Sequence, residues 1–291
     1  MNGLILFSYN MLLKRNELPA FYEHLFHGKL PSGYLENKLP VYEAFGMTDP
    51  LSHYTQSIAR NLQSDNLRVY HGCKHSKPFV ESAVEQAVKD GCQKIYMLAL
   101  SPLISKTGTI SYEQKVMKYL QQHAPHIEAI SLNGYSGDER FVKLIATHVQ
   151  EALMYIGDHN PTILFTAHSL PGTEKANQDF LQQYEQLATS VMAQLPRLEY
   201  RLAFRSVGHA TQKWLRPDIV TVIEEEYTKG TKAVIVCELL SIIENMEVLE
   251  EIGQQAKARA LQLQMEFIQM RYLNDSYSFV SFLKALIEEK Q

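Results

Sequence analysis

Short apolar runs recur along this chain, each bounded by polar or turn-forming residues and separated by spans long enough for one helix. Leu4-Ile5-Leu6-Phe7, Ile163-Leu164-Phe165 and Ala233-Val234-Ile235-Val236-Cys237 show no polar alternation, which is the pattern of strands buried on both faces. The pattern predicts strands near 3–8, 67–71, 94–99, 127–132, 162–167, 200–205, 233–237 and 265–270. It predicts helices near 17–26, 50–63, 78–90, 109–123, 138–156, 174–194, 218–229, 245–260 and 276–290. Chemical punctuation supports several ends. Asp49-Pro50 reads as an N-cap followed by proline at the first helical position, and Asp138 and Asp275 can cap their helices. Asp90-Gly91 and Lys229-Gly230 read as helix stops.

Strands alternating with helices over short loops imply an α/β fold with mainly parallel sheets covered on both faces. Four strands precede about residue 133 and four follow about residue 160, so the expected arrangement is two doubly wound domains flanking a cleft. The division expected is 1–113 and 114–271, with a C-terminal helix over 272–291 that could pack back on the first domain. No Pro/Gly/Ser-rich linker or short repeat breaks this pattern.

At 291 residues and 45% hydrophobic content the chain can bury a sizeable core, and a net charge of -4 without a basic run argues against a nucleic-acid partner. No apolar run approaches the roughly 18 residues of a membrane span. The amino-terminal apolar run is too short for a signal segment, so a cytoplasmic location is expected. Cys73, Cys92 and Cys237 are odd in number and form no Cys-x-x-Cys pair, which argues against a disulfide framework; three cysteines also cannot hold a four-cysteine cluster.

Strand ends are where ligands bind in open parallel sheets, and two apolar runs switch there to chemistry. Thr166-Ala167-His168-Ser169-Leu170-Pro171 ends one, and Glu247 follows another. A lone histidine is more often structural, but its place at a strand end brings His168 and Glu247 toward one cleft, a pair suited to proton abstraction, divalent metal binding, or both. Glu247 and Glu251 stand four apart among Glu244 and Glu250, as either a solvated acidic face or a ladder of carboxylates leading a divalent metal inward. Tyr9, Lys74-His75 and Tyr112 follow other strands, where packing and ligand contact are both open. Trp214 could anchor domain packing or wall an aromatic pocket. There is no Gly-x-Gly-x-x-Gly, Walker loop, His-Glu-x-x-His or Gly-x-Ser-x-Gly, and Ser169 beside His168 makes no nucleophile–base pair by adjacency alone.

These segments, in this order, resemble the ferrochelatase family, most of all the short coproporphyrin ferrochelatases of Gram-positive bacteria. The resemblance spans nearly the whole chain. It is carried by Thr166-Ala167-His168-Ser169-Leu170-Pro171 and Trp214-Leu215-x-Pro217-Asp218, supported by Gly3-Leu4-Ile5-Leu6 with Tyr9, Tyr42-Glu43-Ala44-Phe45-Gly46, Pro50-Leu51, Lys74 to Val84 and Glu247-Val248-Leu249. It implies two Rossmann-like domains around a porphyrin cleft. His168 would be the catalytic histidine and metal contact, Glu247 its carboxylate partner, and Tyr9 the group on the opposite porphyrin face. Tyr112, Lys74 and Trp214 would line or flank the substrate, and Glu251 would mark an outer metal position.

The chain also departs from that family. Asn10-Met11-Leu12 stands where Gly-Thr-Pro is usual, Phe26-His27 where an arginine pair is usual, and Val41 where a further arginine is usual; Asn245 replaces a histidine and Gln255 an outer carboxylate. Arginines pair bidentately with carboxylates, so their loss weakens anchoring of an acidic porphyrin unless Lys29 or Arg205 substitutes. The resemblance therefore implies a chelatase that inserts ferrous iron into a porphyrin, coproporphyrin III or protoporphyrin IX, in haem biosynthesis. The alternative is a diverged, non-catalytic haem- or porphyrin-binding paralogue. No permanently bound cofactor is expected; Fe2+ enters as substrate, Mg2+ could sit at the acidic helix face, and a monomer is expected.

Overall fold

Each predicted apolar run forms a parallel strand. The computed structural model describes residues 1–10, 12, 14–46, 49–157, 159–207 and 213–290; Met11 of the altered turn and His209–Gln212 ahead of Trp214 lie outside them. Among the described residues the first sheet contains β1 (Asn2–Ser8), β2 (Leu67–Cys73), β3 (Lys94–Ala99) and β4 (Glu128–Ser131) in the order β2-β1-β3-β4. The second contains β5 (Thr162–His168), β6 (Tyr200–Arg205), β7 (Ala233–Glu238) and β8 (Glu266–Gln269) in the order β6-β5-β7-β8. All neighbouring strands are parallel.

The most apolar runs occupy the central positions, where both faces are covered. Leu4, Ile5, Leu6, Ile163, Leu164, Phe165, Val234 and Ile235 are fully buried, each such side chain contributing roughly 1.5–3 kcal/mol of transfer free energy. In both sheets the chain starts centrally, crosses to one edge, then returns past its starting strand. The switch points therefore lie at the carboxyl ends of β1 and β5, the positions that favour ligand binding. Tyr9 directly follows β1, and His168 ends β5.

The helices are α1 (Leu18–Leu25), α2 (Tyr34–Ala44), α3 (Pro50–Leu62), α4 (Val80–Lys89), α5 (Thr109–His123), α6 (Glu139–Leu153), α7 (Gln178–Met192), α8 (Ile219–Thr228), α9 (Met246–Glu250), α10 (Lys257–Gln262) and α11 (Tyr277–Glu288). The Asp49, Asp138 and Asp218 side chains cap α3, α6 and α8, whereas α11 is capped by Ser276 and not by Asp275, which accepts from the Ser57 hydroxyl instead. A division at residue 113 would cut α5 and detach β4 from β3, its partner, so the first sheet extends to Ser131. The two sheets also share one apolar cluster. Leu4, Leu6 and Leu98 from the first join Ile163, Phe165 and Ile235 from the second through Phe141, Ile145 and Val149 of α6. Helix α11 packs on α3 and α6, adding Phe279 and Leu283 to that cluster.

Helix α2 was not predicted. Pro40 lies inside it, where it removes a backbone donor, and its apolar side chains do not form one stripe. With α1 it builds an aromatic cap in which Phe21, Tyr22 and Tyr42 pack against Met246 of α9. The predicted 245–260 helix begins as α9, capped by the Asn245 side chain, and widens into a π-helical segment at Glu251–Ala256 before α10. Such widened turns occur frequently at functional sites. Among the described residues no helix is long and apolar enough to cross a membrane.

Candidate active site

His168 is paired in register with Arg205, so two neighbouring strands deliver an imidazole and a guanidinium to the same edge. The His168 Nδ1 lies 2.6 Å from the Ser169 carbonyl oxygen. An oxygen of that kind only accepts, so Nδ1 carries the proton in the neutral ring and Nε2 keeps its lone pair. Nε2 faces the Glu247 Oε2 at 3.6 Å, with the two side chains 32% and 45% exposed. A lone pair and a carboxylate facing each other across that gap call for a proton or a metal ion between them.

Beneath this pair lies a buried charge network. Arg205 and Glu238 are each 1% exposed, with Arg205 Nε donating to Glu238 Oε2 at 3.1 Å. Arg205 Nη1 donates to Glu247 Oε2 at 3.3 Å and to Glu251 Oε2 at 3.2 Å, and Nη2 donates to Ser241 Oγ at 2.6 Å. Glu238 also accepts from Thr166 Oγ1 at 2.7 Å and from the Ser241 amide at 2.9 Å. Ser206 Oγ reaches both Glu251 oxygens at 2.6 and 2.7 Å.

These contacts set the ionisation. Enclosure raises the Glu247 pKa, but the His168 imidazole when protonated, and then Arg205, outweigh it and the net shift is downward. Burial raises the Glu251 pKa, and Arg205 only partly offsets it. The remaining acidic residues are not a bare ladder. Glu250 pairs with Lys38 of α2 at 2.8 Å, and Glu244 hydrogen-bonds Tyr54.

The opposite wall begins at Tyr9, 39% exposed, whose ring meets Phe21 edge-on at 5.9 Å and tilts against His75 at 5.4 Å. Its crowded surroundings and then the Glu247 charge push its pKa upward, so the phenol stays protonated. Burial first, and the same charge after it, raises the pKa values of Tyr22, Tyr34 and Tyr42 in the aromatic cap, which packs on Met246 of α9. Lys74 donates to the Thr107 carbonyl at 2.6 Å, and burial followed by Lys115 lowers its pKa. Tyr112 is buried against Phe7, with its hydroxyl donated to the Ser8 carbonyl at 3.0 Å, so it props the end of β1 without presenting a free hydroxyl. Trp214 is half-buried and bridges to Pro171 in the loop after His168. Ser169 is fully buried and donates to the Leu215 carbonyl at 2.9 Å, a structural bond within that loop.

The substituted turn has its own solution. Asn10 is buried, and its Nδ2 donates to Asp49 Oδ2 at 3.0 Å. Asp49 also receives the Leu51 amide at 3.0 Å and interacts with the Met246 amide, next to Glu247. The Asn10–Asp49 link and the Arg205–Glu238 pair were not read from sequence as site elements. Arg205 and Glu238 each end a buried strand, so the strand-end argument that selected His168 also points to them. Arg205, weighed as a replacement anchor for substrate carboxylates, is instead buried and engaged with three protein carboxylates. A separate groove of about 470 Å³ lined by His148, Glu151, Lys257 and Arg271 contains none of these groups; chemistry rather than concavity locates the site.

The sequence pattern of ferrochelatases matches residues 7–291. The chain belongs to the ferrochelatase family. It is 28% identical over 297 residues to the ferrochelatase of Herpetosiphon aurantiacus, covering 98% of this chain and 97% of that protein. It is 27% identical over 303 residues to the coproporphyrin III ferrochelatase of Halalkalibacterium halodurans, covering 99% and 96%. Among solved structures it is similar to the sirohydrochlorin chelatase SirB of Bacillus subtilis subspecies spizizenii in complex with cobalt, with a TM-score of 0.59, 12% identity, and 99% and 95% coverage. CbiX, described as the terminal enzyme of sirohaem biosynthesis in denitrifying bacteria, gives a TM-score of 0.54 at 10% identity with both chains fully covered. At those identities the structural likeness concerns the fold alone. As a ferrochelatase-family member, the chain is a tetrapyrrole metal chelatase, an enzyme of the lyase class.

Proposed function

We propose that this chelatase inserts ferrous iron into a porphyrin, coproporphyrin III or protoporphyrin IX, as a step in haem biosynthesis. The observation that carries the reading is the His168 Nε2 lone pair facing Glu247 Oε2 at 3.6 Å. The substrate enters with two ring N–H groups and leaves as a dianion around Fe2+, so two protons must depart. His168 Nε2, its tautomer held by the Ser169 carbonyl, accepts the two ring protons in succession, the first passing outward through Glu247 before the second is taken up. The same two groups can contact the arriving iron, since imidazole with carboxylate suits a borderline divalent ion. Tyr9 remains a neutral phenol against the opposite face of the ring. The curated relatives named for coproporphyrin III support that substrate.

Anaerobic incubation with ferrous iron and coproporphyrin III, followed through the Soret and visible bands, tests the assignment. Metalloporphyrin bands should appear with turnover. A shifted free-base Soret band without metallation would indicate a porphyrin carrier instead.

A further inference from the structure

We propose that Arg205 is the resident cation of this cleft, holding the Glu247 carboxylate toward His168 and taking the place between Glu247 and Glu251 where a hard divalent ion would otherwise bind. The catalytic part of this inference rests on the insertion reaction proposed above; the cation part does not.

Glu247 and Glu251 are one helical turn apart, so their charges repel unless a cation lies between them. One guanidinium nitrogen fills that role. Nη1 contacts a Glu247 oxygen at 3.3 Å and a Glu251 oxygen at 3.2 Å. The Glu247 oxygen is Oε2, the same atom that faces His168 Nε2, so Arg205 fixes the carboxylate edge presented to the imidazole.

Arg205 is itself fixed. Nε is held by Glu238 and Nη2 by Ser241, while the backbone pairs in register with His168. Burial lowers its pKa, but Glu238, Glu251 and Glu247 more than compensate, so it stays charged. Glu251 is further occupied by the Ser206 hydroxyl on both oxygens. A hard divalent ion needs several oxygen ligands converging on one point. Among the described residues no three His, Cys, Asp or Glu side chains meet in that way. These carboxylates converge on the guanidinium instead. Arg205 is thus a positioning residue, acting on the reaction through Glu247.

The test compares wild type with Arg205→Lys and the double variant Arg205→Gln/Glu238→Gln. The second substitution removes the carboxylate that loss of Arg205 would strand in the core. Thermal melting is measured with millimolar MgCl2 against NaCl of matched ionic strength. Wild type should show no Mg2+-specific stabilisation, whereas the double variant should gain several degrees because the freed carboxylates bind the ion in the native state. Zinc insertion into the same porphyrin should fall on the order of 10- to 100-fold in the double variant at unchanged porphyrin KM. Arg205→Lys, a single point charge without the planar fork, should fall between. Mg2+ stabilisation of the wild type equal to that of the double variant would overturn the proposal, as would wild-type insertion rates in the double variant. If the wild type itself inserts no metal, the reaction assignment fails, and the melting comparison still decides the role of Arg205.

Discussion

Replacing Asp49 with asparagine separates the charge of this carboxylate from its hydrogen bonds. Asp49 is 3% exposed, caps α3 through Leu51, and ties Asn10, next to Tyr9, to Met246, next to Glu247. Burial raises its pKa from 3.8 to about 6 against the pull of the Asn10 and Leu51 donors. Between these values the native state holds a proton that the unfolded chain has released, so stability falls as pH rises through the window. Below about pH 4 both states are protonated and the contribution vanishes. Above pH 6 the penalty is complete, (6 − 3.8) × 1.36, or about 3 kcal/mol. Asparagine keeps an acceptor for Leu51 and can donate to Asn10 Oδ1 after an amide flip. One lost acceptor would offset the variant by about 1 kcal/mol at every pH. Urea unfolding followed through Trp214, the only tryptophan, at several values from pH 4 to pH 7 gives the stability difference between the two proteins. That difference should move in favour of Asp49→Asn by about 2.4 kcal/mol between pH 4 and pH 7, since part of the penalty is already present at pH 4. A constant difference would refute the reasoning and show that Asp49 is already ionised at pH 4.

His168→Ala should lower metal insertion by about 100-fold or more if His168 is the proton acceptor of the proposed reaction, while porphyrin affinity by fluorescence titration stays nearly unchanged because apolar contact carries most of it; full insertion activity would remove the mechanism. Glu247→Gln should slow insertion by a smaller factor in the same assay. Affinity for porphyrins differing only in carboxylate number should be nearly flat, because Lys38 and Arg205 are engaged by protein carboxylates and Phe26 and Val41 are apolar; a steep rise with carboxylate number, abolished by Lys74→Ala, would identify Lys74 as an anchor. Gly134→Ala should lower stability by roughly 1–2 kcal/mol in thermal melting, since Gly134 has φ of +78° and an added Cβ would sit 2.7 Å from Ile104 Cδ1.

The strands were legible because uninterrupted apolar runs such as Leu4–Phe7 and Ala233–Cys237 have few alternatives to a doubly covered parallel strand. Capping aspartates marked α3 and α6 for a local reason, since the bond forms within the first turn; at α11 the cap is Ser276, one residue after the expected Asp275. The local switch from apolar to polar also selected His168 at the end of β5. Helix α2 escaped because Pro40 and a scattered apolar pattern argue against a helix locally, while packing against α1 and Met246 favours it. Charge partnerships were least legible. Glu247, Glu250 and Glu251 read as either a solvated acidic face or a ladder for a divalent metal, yet the fold gives Glu247 to His168 and Arg205, Glu250 to Lys38, and Glu251 to Arg205 and Ser206. Hydrophobic periodicity and caps act over a few residues and are written into the chain. The worth of an ion pair depends on burial and on which distant strands end side by side, so only the tertiary structure decided that Arg205 lies beneath His168 and Glu247 and that Asn10 turns inward to Asp49.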